Sequence, residues 1–412
     1  MFGVDFFETY SPVANMNSIR AVVVAKAYVT EQLDADPAFL NSDPKEKVFM
    51  EVPHGITNAQ NMMCKLEKAI YGLKQAASAW HQTIHAVFIK IGFRSCGADQ
   101  CVYVKDTKDN YVYVCLYVDD MIIAAKTEEE INEVKMALKC AFKMKEMGEV
   151  KFILGMEIDH DRMAGKLMIK QTRYIDDVMN RFKQQDAKAV VSPCESGMKL
   201  TKMQLPTTNT ERKDLRTKPY RSLIGCLLYI TTCMLPDVAY IVTQLSRFLE
   251  NPGRQHCKAA IRVLRYLKAT KDFGISYNSN DGKVMLEAYT DADWGSNLDD
   301  RRRRRSAIAL ESNAGYNART KHVDIRHHFI RENVARDIIT VDYVGTEDQL
   351  ADTLTKALGT KKLQFLLVAS GVRIKPRSTS AASGSVDVCA LNASGDVMPA
   401  CSDDTICTGR TQ

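Results

Sequence analysis

The chain has 412 residues, enough for two or three domains, and an apolar share of 45% that can supply a sizeable core. Its 56 basic and 50 acidic residues leave a net charge of +6, which permits an anionic partner without demanding one. No apolar run is long enough to span a bilayer, the opening residues lack the basic start of a secretory signal, and the twelve cysteines form no C-x-x-C or zinc-like spacing, so no membrane span, signal peptide or disulfide scaffold is expected and the expected setting is reducing and intracellular.

The opening MFGVDFFETYSPVA is extended chain leading into Ile19, Val22, Val23, Ala25 and Ala27, whose spacing predicts a helix over 18–30. A short strand is expected over 32–35, a loop over 41–47 and a second strand over 48–52. After a break at Tyr71-Gly72, the stretch 66–90 reads as a helix with Trp80 and Val87 on its apolar side. The strongest β signal is 111–125, YVYVCLYVDDMIIAA, two apolar runs flanking Asp119-Asp120 as in a hairpin. An amphipathic helix is expected over 127–142, and strands over 152–158 and 166–169. Cys115 and Cys226 lie inside apolar runs and read as small buried hydrophobes.

Residues 193–218 are polar and read as a linker. A long helical pattern over 220–268 is broken near Leu235-Pro236 and at Asn251-Pro252-Gly253. A strand over 286–290 is expected to lead directly into Asp291. Beyond Pro376 the chain is Ser, Ala, Gly, Thr and Asp with few aromatics, which predicts a disordered tail.

Two adjacent acids between apolar strands need a reason, because like charges repel and flanking hydrophobes imply partial burial. A divalent cation resolves both, and magnesium prefers such hard oxygen ligands. An ordinary turn is the simpler explanation for an Asp-Asp pair alone. A third acid changes the balance: Asp34, in QLDADPAFL, falls at a strand end. Two-metal sites hold their ions about 3.5–4 Å apart, and three carboxylates on adjacent strands are the smallest set that clamps both. Asp36 rivals Asp34, and spacing alone leaves that choice open.

At these residues the chain resembles the reverse transcriptase of copia-type LTR retrotransposon Pol polyproteins. Tyr117-Val118-Asp119-Asp120 matches that family's Y-V-D-D. Gln32-Leu33-Asp34 with Ala38-Phe39-Leu40-Asn41 is similar to its Q-M/L-D-V-x-T-A-F-L-N. The 69–76 stretch AIYGLKQA resembles its Y-G-L-K-Q segment, and residues 3–14 resemble G-V-D-Y-x-E-T-F-S-P-V-A. Y-R-S-L-I-G at 220–225, R-V-L-R-Y-L-K at 262–268, the opening of a ribonuclease H (RNase H) domain at 290–294 and its end, QLADTLTK, at 349–356 follow in the family's order.

The resemblance implies template-directed DNA synthesis on an RNA or DNA template from a DNA primer, with deoxynucleoside triphosphates as substrates and no membrane. Asp34, Asp119 and Asp120 would bind two Mg²⁺ ions, with Mn²⁺ able to substitute. Phe39 would be the aromatic gate that excludes a ribose 2′-hydroxyl, with ordinary core packing as its alternative. Gly72 and Gln75 would lie at the nucleotide pocket, Lys74 would contact phosphate or only solvent, and Tyr117 and Val118 would face the primer end.

The implied fold is α+β. A right-hand fingers and palm unit, lacking the family's basic N-terminal segment, would cover 1–192. A linker and helical thumb or connection would cover 193–281, an incomplete RNase H-like α/β segment 282–375, and a disordered tail 376–412.

Several residues depart from the family pattern. Pro37 stands where the family has Thr or Ser, and proline has no backbone N–H to offer a triphosphate. Ser78 replaces an Arg. In the RNase H-like segment, Asp291 and Asp352 fit the first and last metal-binding acids, but the two middle acids have no counterpart and only 61 positions separate the pair. Asp293 and Asp324 are nearby acids with nothing in their spacing to make them substitutes. Arg301 to Arg305 abut Ser306-Ala307-Ile308-Ala309-Leu310 like the scar of a deletion. The expectation is a degenerate polymerase copy with no RNase H activity and poor order in that segment. The alternatives are a non-catalytic nucleic-acid-binding remnant and an inert pseudogene product.

Overall fold

The structure, a computed structural model, describes residues 9–24, 28–56, 62–108, 110–195, 197–278, 287–291 and 332–374, and the backbone of 390–391 and 397–398. The start of the chain, Asp293, the arginine run with the five residues after it, Asp324 and almost all of the tail lie outside these residues. The chain divides into two units, residues 1–167 with 277–283 and residues 168–276 with 284–412. Helix and strand are mixed throughout, an α+β chain, and among the described residues no helix is long and apolar enough to cross a membrane.

In the first unit, α1 (Met16–Val23) buries Ile19, Val22 and Val23. It stops short of the expected end, and β1 (Val29–Ala35) takes up Val29 and Thr30, whose branched Cβ atoms suit a strand. A 3-10 turn, Phe39–Asn41, follows. The small hairpin of β2 (Phe49–Glu51) and β3 (Met63–Lys65) comes next. The helix expected over 66–90 begins only at α2 (Ala76–Lys90), because the preceding residues turn at Gly72, whose φ of 101° a side chain rarely adopts. Ala76, Trp80, Ile84 and Phe88, one helical turn apart, form its buried stripe.

The main sheet completes this unit. Its strands are β1, β4 (Arg94–Ser95), β5 (Val102–Asp106), β6 (Tyr111–Tyr117), β7 (Asp120–Ala125) and β8 (Met144–Glu149), in the order β4-β5-β6-β7-β1-β8. β7 pairs antiparallel with β6 and with β1, so the strongest apolar run forms the centre, with Met121, Ile122, Ile123 and Ala124 fully buried. Met121, Ile122 and Ile123 each contribute about 1.5–3 kcal/mol by leaving water. Cys115 is buried among them, as is Cys226 in the second unit.

Between β7 and β8 lies α3 (Glu128–Ala141). Thr127 caps it in a capping box, accepting from the Glu130 amide at 3.3 Å while the Glu130 carboxylate accepts from the Thr127 amide at 3.2 Å. Lys135 of α3 is almost wholly buried and bridges Glu31 of β1 at 2.7 Å and Glu146 of β8 at 2.6 Å, fixing the helix on the sheet. β8 was not foreseen: its sequence MKEMGE has no apolar alternation, and its pairing with β1 makes it a strand. The short hairpin of β9 (Phe152–Ile153) and β10 (Met156–Asp161) follows, and the boundary between the units falls within β11 (Lys166–Lys170).

The second unit is helical. It contains α4 (Thr172–Arg181), α5 (Asn209–Arg216), α6 (Tyr220–Cys233), α7 (Ala239–Ser246) and α8 (Arg254–Thr270). The breaks fall where proline and glycine put them, at a 3-10 turn Pro236–Val238 and at Gly253. After α8 come β12 (Phe273–Asn278), α9 (Asp352–Thr355), α10 (Thr360–Ala369) and β13 (Val372–Ile374), which pairs antiparallel with β12.

Two expectations are corrected here. Residues 287–290 form no strand, since a strand exists only where a neighbour supplies its ladder bonds. The poor order expected over 282–375 does not extend to 346–374, where α10 buries Leu363, Leu366 and Leu367 and α9 buries Asp352 and Thr353. In the tail, Ala390–Leu391 and Val397–Met398 form a two-residue ladder.

Candidate active site

The hairpin between β6 and β7 carries the site. Tyr117 opposes Asp120, leaving Val118 and Asp119 as the two-residue turn. A right-handed hairpin twist asks for a positive φ at the first turn position, usually supplied by glycine. Here Val118 adopts φ 56°, a conformation that costs a branched residue about 1–3 kcal/mol. Two bonds hold it: Trp80 of α2 donates its indole N–H to the Val118 carbonyl at 2.8 Å, and the Ala35 amide donates to the Asp119 carbonyl at 3.0 Å. The turn is thus pinned both by the helix and by β1.

Asp34 lies directly opposite Asp120 in the β1–β7 register. Residues opposite each other in an antiparallel pair project on the same face. Gln32, two residues before Asp34 on that face, donates to Asp120 Oδ1 at 3.0 Å. The Asp34 carboxyl is pushed above its ordinary range, first by burial and then by the charges of Asp120 and Asp119, while Lys145, opposite it on β8, partly offsets them. Asp36, the rival candidate, sits past the end of β1, where it pairs with Lys143 at 2.9 Å.

Asp119 has two different oxygens. Oδ2 accepts from the Tyr71 hydroxyl at 2.7 Å. Oδ1 is buried and has no hydrogen-bond partner, which costs about 1–3 kcal/mol for a neutral group and more for a charged one. An orphaned carboxylate oxygen beside two more carboxylates is a donor set with surplus negative charge, and a hard divalent cation fits it. Among the described residues no group of three or more His, Cys, Asp or Glu side chains, these three aspartates included, is placed to hold a metal ion by itself. That is compatible with magnesium, which is commonly held by one or two carboxylates plus substrate phosphates and water.

Phe39 is buried and packs on Tyr71, with ring centroids 4.3 Å apart. Gly72 follows Tyr71 at positive φ, with nothing within 4 Å of where a Cβ would stand, so its backbone conformation is what calls for glycine. Gln75 is buried at the start of α2. Ser78 is also buried, its hydroxyl within 3.3 Å of the Gln82 amide.

Tyr71, Gln32, Lys145 and the indole of Trp80 have no role at the site in the sequence reading. Gln32 could have been given one, from its two-residue offset before Asp34. Tyr71 reaches Asp119 across 48 positions, and no local pattern announces that. Burial and its bond to Asp119 push the Tyr71 phenol up to about 12, so it stays protonated and donates.

The structure also brings the second acid pair together, but with a lysine between them. Lys356 Nζ lies 2.5 Å from Asp352 and 3.4 Å from Asp291, and the Thr355 hydroxyl donates to Asp291 at 2.6 Å. An ammonium group bound to both carboxylates does there what a divalent ion would do and repels one that approaches. This pair does not fit a metal centre.

The Asp34 shift predicts a trade between stability and function. For an acid whose folded pKa is raised, the favourable contribution holds at low pH and is lost as pH rises through the folded value. At neutral pH the Asp34 carboxylate therefore destabilises the metal-free fold. Asp34→Asn should raise the melting temperature at pH 7 without divalent ions, and should remove the further rise that Mn²⁺ gives the unaltered chain. Thermal melts with and without Mn²⁺ read both. A lower melting temperature for the variant would contradict the surplus-charge account.

Residues 1–196 match the family described as reverse transcriptase (RNA-dependent DNA polymerase). The retrovirus-related Pol polyprotein from transposon TNT 1-94 of Nicotiana tabacum is 33% identical over 433 aligned positions, which take up 88% of this chain and 32% of the relative. The corresponding polyprotein from transposon RE1 of Arabidopsis thaliana is 30% identical, over 91% of this chain and 30% of the relative. A transposon Ty5-1 protein of Saccharomyces cerevisiae is 34% identical, over 64% of this chain and 84% of its own length. The chain spans about a third of the length of the two plant relatives.

Proposed function

The chain belongs to the reverse transcriptase family of copia-type retrotransposon Pol polyproteins, and on that premise we propose that its first unit is a polymerase palm with fingers, in which Asp34, Asp119 and Asp120 hold two Mg²⁺ ions for nucleotidyl transfer. The observation that carries this is the register of Asp34 with Asp120 beside the unpartnered Asp119 Oδ1. The substrates are deoxynucleoside triphosphates and a DNA primer on an RNA or DNA template. When bound, the ions lower the pKa of the primer hydroxyl and stabilise charge on the leaving phosphate oxygen.

The chain's own residues supply position. Gln32 fixes the rotamer of Asp120, and Tyr71 fixes that of Asp119, through one bond each. The backbone of Tyr117 and Val118 presents the carboxylates and faces the primer end. Phe39, held by Tyr71, fills the space a ribose 2′-hydroxyl would need, and Gly72 and Gln75 border the nucleotide. Primer extension on poly(rA)–oligo(dT) with dTTP and Mg²⁺ tests the reading; a folded chain that incorporates nothing with Mg²⁺ or Mn²⁺ overturns it.

Activity should be impaired by one residue in particular. Pro37 lies between Asp34 and Phe39, in the stretch whose backbone N–H groups would bind the triphosphate, and it has none to donate. A lost hydrogen bond to a charged oxygen costs about 1.5–3 kcal/mol, or roughly tenfold to a hundredfold. Pro37→Thr should therefore raise kcat/KM for dTTP by that factor. Steady-state primer extension measures it, and no gain would mean that the Pro37 amide position contacts no phosphate.

We further infer that the second unit is a helical thumb or connection carrying a remnant of RNase H without hydrolytic activity. Lys356 between Asp291 and Asp352 supports this. So does the alignment with the tobacco relative: 433 positions take up only 88% of a 412-residue chain, so stretches of the relative have no counterpart here. Both observations favour a degenerate copy.

A further inference from the structure

Two histidines of α2 have no part in the polymerase reading. His81 and His85 stand four residues apart and so share one face of the helix. Both are half-buried, at the border of the stripe formed by Trp80, Ile84 and Phe88. Their ring centroids are 6.0 Å apart and the ring planes lie 19° from parallel.

The nitrogens of these rings are unevenly used. His85 Nδ1 lies 3.1 Å from the hydroxyl of the buried Tyr103. With Nδ1–H donating there, His85 Nε2 keeps a lone pair for another partner. Metal-binding histidines are oriented in this way, by a hydrogen bond from the second ring nitrogen. His81 Nε2 is buried and has no hydrogen-bond partner among the described residues. Burial, and then the charge of His85, hold the His81 imidazole below its ordinary pKa, which keeps it in the neutral form that a metal needs.

We propose that His81 and His85 form a two-imidazole site for a borderline divalent ion, with Zn²⁺ as the fitting case. Two histidines four apart on one helical face have a zinc-ligand spacing. Zn–N bonds are about 2.0–2.1 Å long, so two rings sharing one ion would have centroids about 5–6 Å apart. The rings reach that arrangement by turning about their Cβ–Cγ bonds, a broad torsion in histidine. With two protein ligands, water completes the shell and the ion exchanges. Imidazole suits Zn²⁺ or Ni²⁺, whereas carboxylates suit Mg²⁺ or Mn²⁺, so this pair and the three aspartates sort ions by hardness. A bound ion would clip the helical turn that follows Trp80, whose indole holds the Val118 carbonyl.

The test is calorimetric titration of the full chain with Zn²⁺ in excess Mg²⁺, which occupies the carboxylates. His81→Gln and His85→Gln should each weaken one bound Zn²⁺ by at least about tenfold, since loss of a ligand costs no less than loss of its orienting partner. The double variant should be no worse than either, because one imidazole alone cannot chelate. At Zn²⁺ a hundred times its Kd the unaltered chain should melt roughly 5–10 °C higher, and the variants, folded in metal-free buffer, should not respond. Crystals of the unaltered chain soaked in Zn²⁺ need no variant, and an anomalous peak bonded to both Nε2 atoms is expected. Undiminished binding in both variants overturns the inference, and so does a peak on cysteines with none between the imidazoles.

Discussion

Asp119→Asn and Asp120→Asn should each lower primer extension by roughly a thousandfold while leaving the fold intact. A bound metal ion gives several kcal/mol of transition-state stabilisation in phosphoryl transfer. Losing about 4–5 kcal/mol of it is about three orders of magnitude at 1.36 kcal/mol per decade. Amide and carboxylate have almost the same shape, so in Asp119→Asn the Tyr71 hydroxyl can still donate to a side-chain oxygen where it now meets Oδ2, and packing is kept. The removed charge also relieves the repulsion that raises Asp34, so both variants should melt no lower than the parent in metal-free buffer. Single-turnover incorporation of dTTP, with circular dichroism melts on the same samples, separates chemistry from folding. Incorporation within tenfold of the parent would mean that the hairpin acids do not hold the ions.

Trp80 should have the largest effect on stability. Its side chain is about 1% exposed and packs edge-on against Phe142 with ring centroids 5.0 Å apart. Trp80→Ala would cost about 3–5 kcal/mol from packing and cavity terms. That is a large share of the 5–15 kcal/mol available to a folded protein, and a melting temperature about 10 °C lower or worse is expected. Trp80→Phe tests the chemistry more finely. It keeps an aromatic ring against Phe142 but removes the N–H that holds the Val118 carbonyl. With that anchor gone, Val118 can leave its positive φ, and the carboxylates move with the turn. Primer extension should drop about tenfold with only a modest loss of stability. Full activity in Trp80→Phe would show that the indole bond does not position the hairpin.

The sequence made the site legible where chemistry is written locally. Asp119 and Asp120 stand out only together with Asp34, because a turn alone would explain the pair, and β6 and β7 follow directly from the runs on either side. Choosing between Asp34 and Asp36 needed the register, since alternation puts both on one face and only the pairing shows Asp34 opposite Asp120 and Asp36 past the end of β1. Tyr71 and Trp80 were beyond reach because their partners are 48 and 38 positions away. β8 was missed for a related reason: its polar residues form a strand through β1, not through their own propensity. The opposite error came at 287–290, where a plausible strand pattern has no ladder. The C-terminal helices were undervalued because order there depends on burying Leu363, Leu366 and Leu367, which no reading of a broken domain anticipates.

Anomalous scattering from Mn²⁺ soaked into crystals of the chain with template–primer and dTTP would be the most direct check on the site. Two peaks about 3.5–4 Å apart, one of them touching Asp119 Oδ1 and both within reach of Asp34 and Asp120, are what the arrangement of β1 and the hairpin predicts. Manganese bound only elsewhere, with Asp119 Oδ1 still unpartnered and Asp34 turned away, would contradict it.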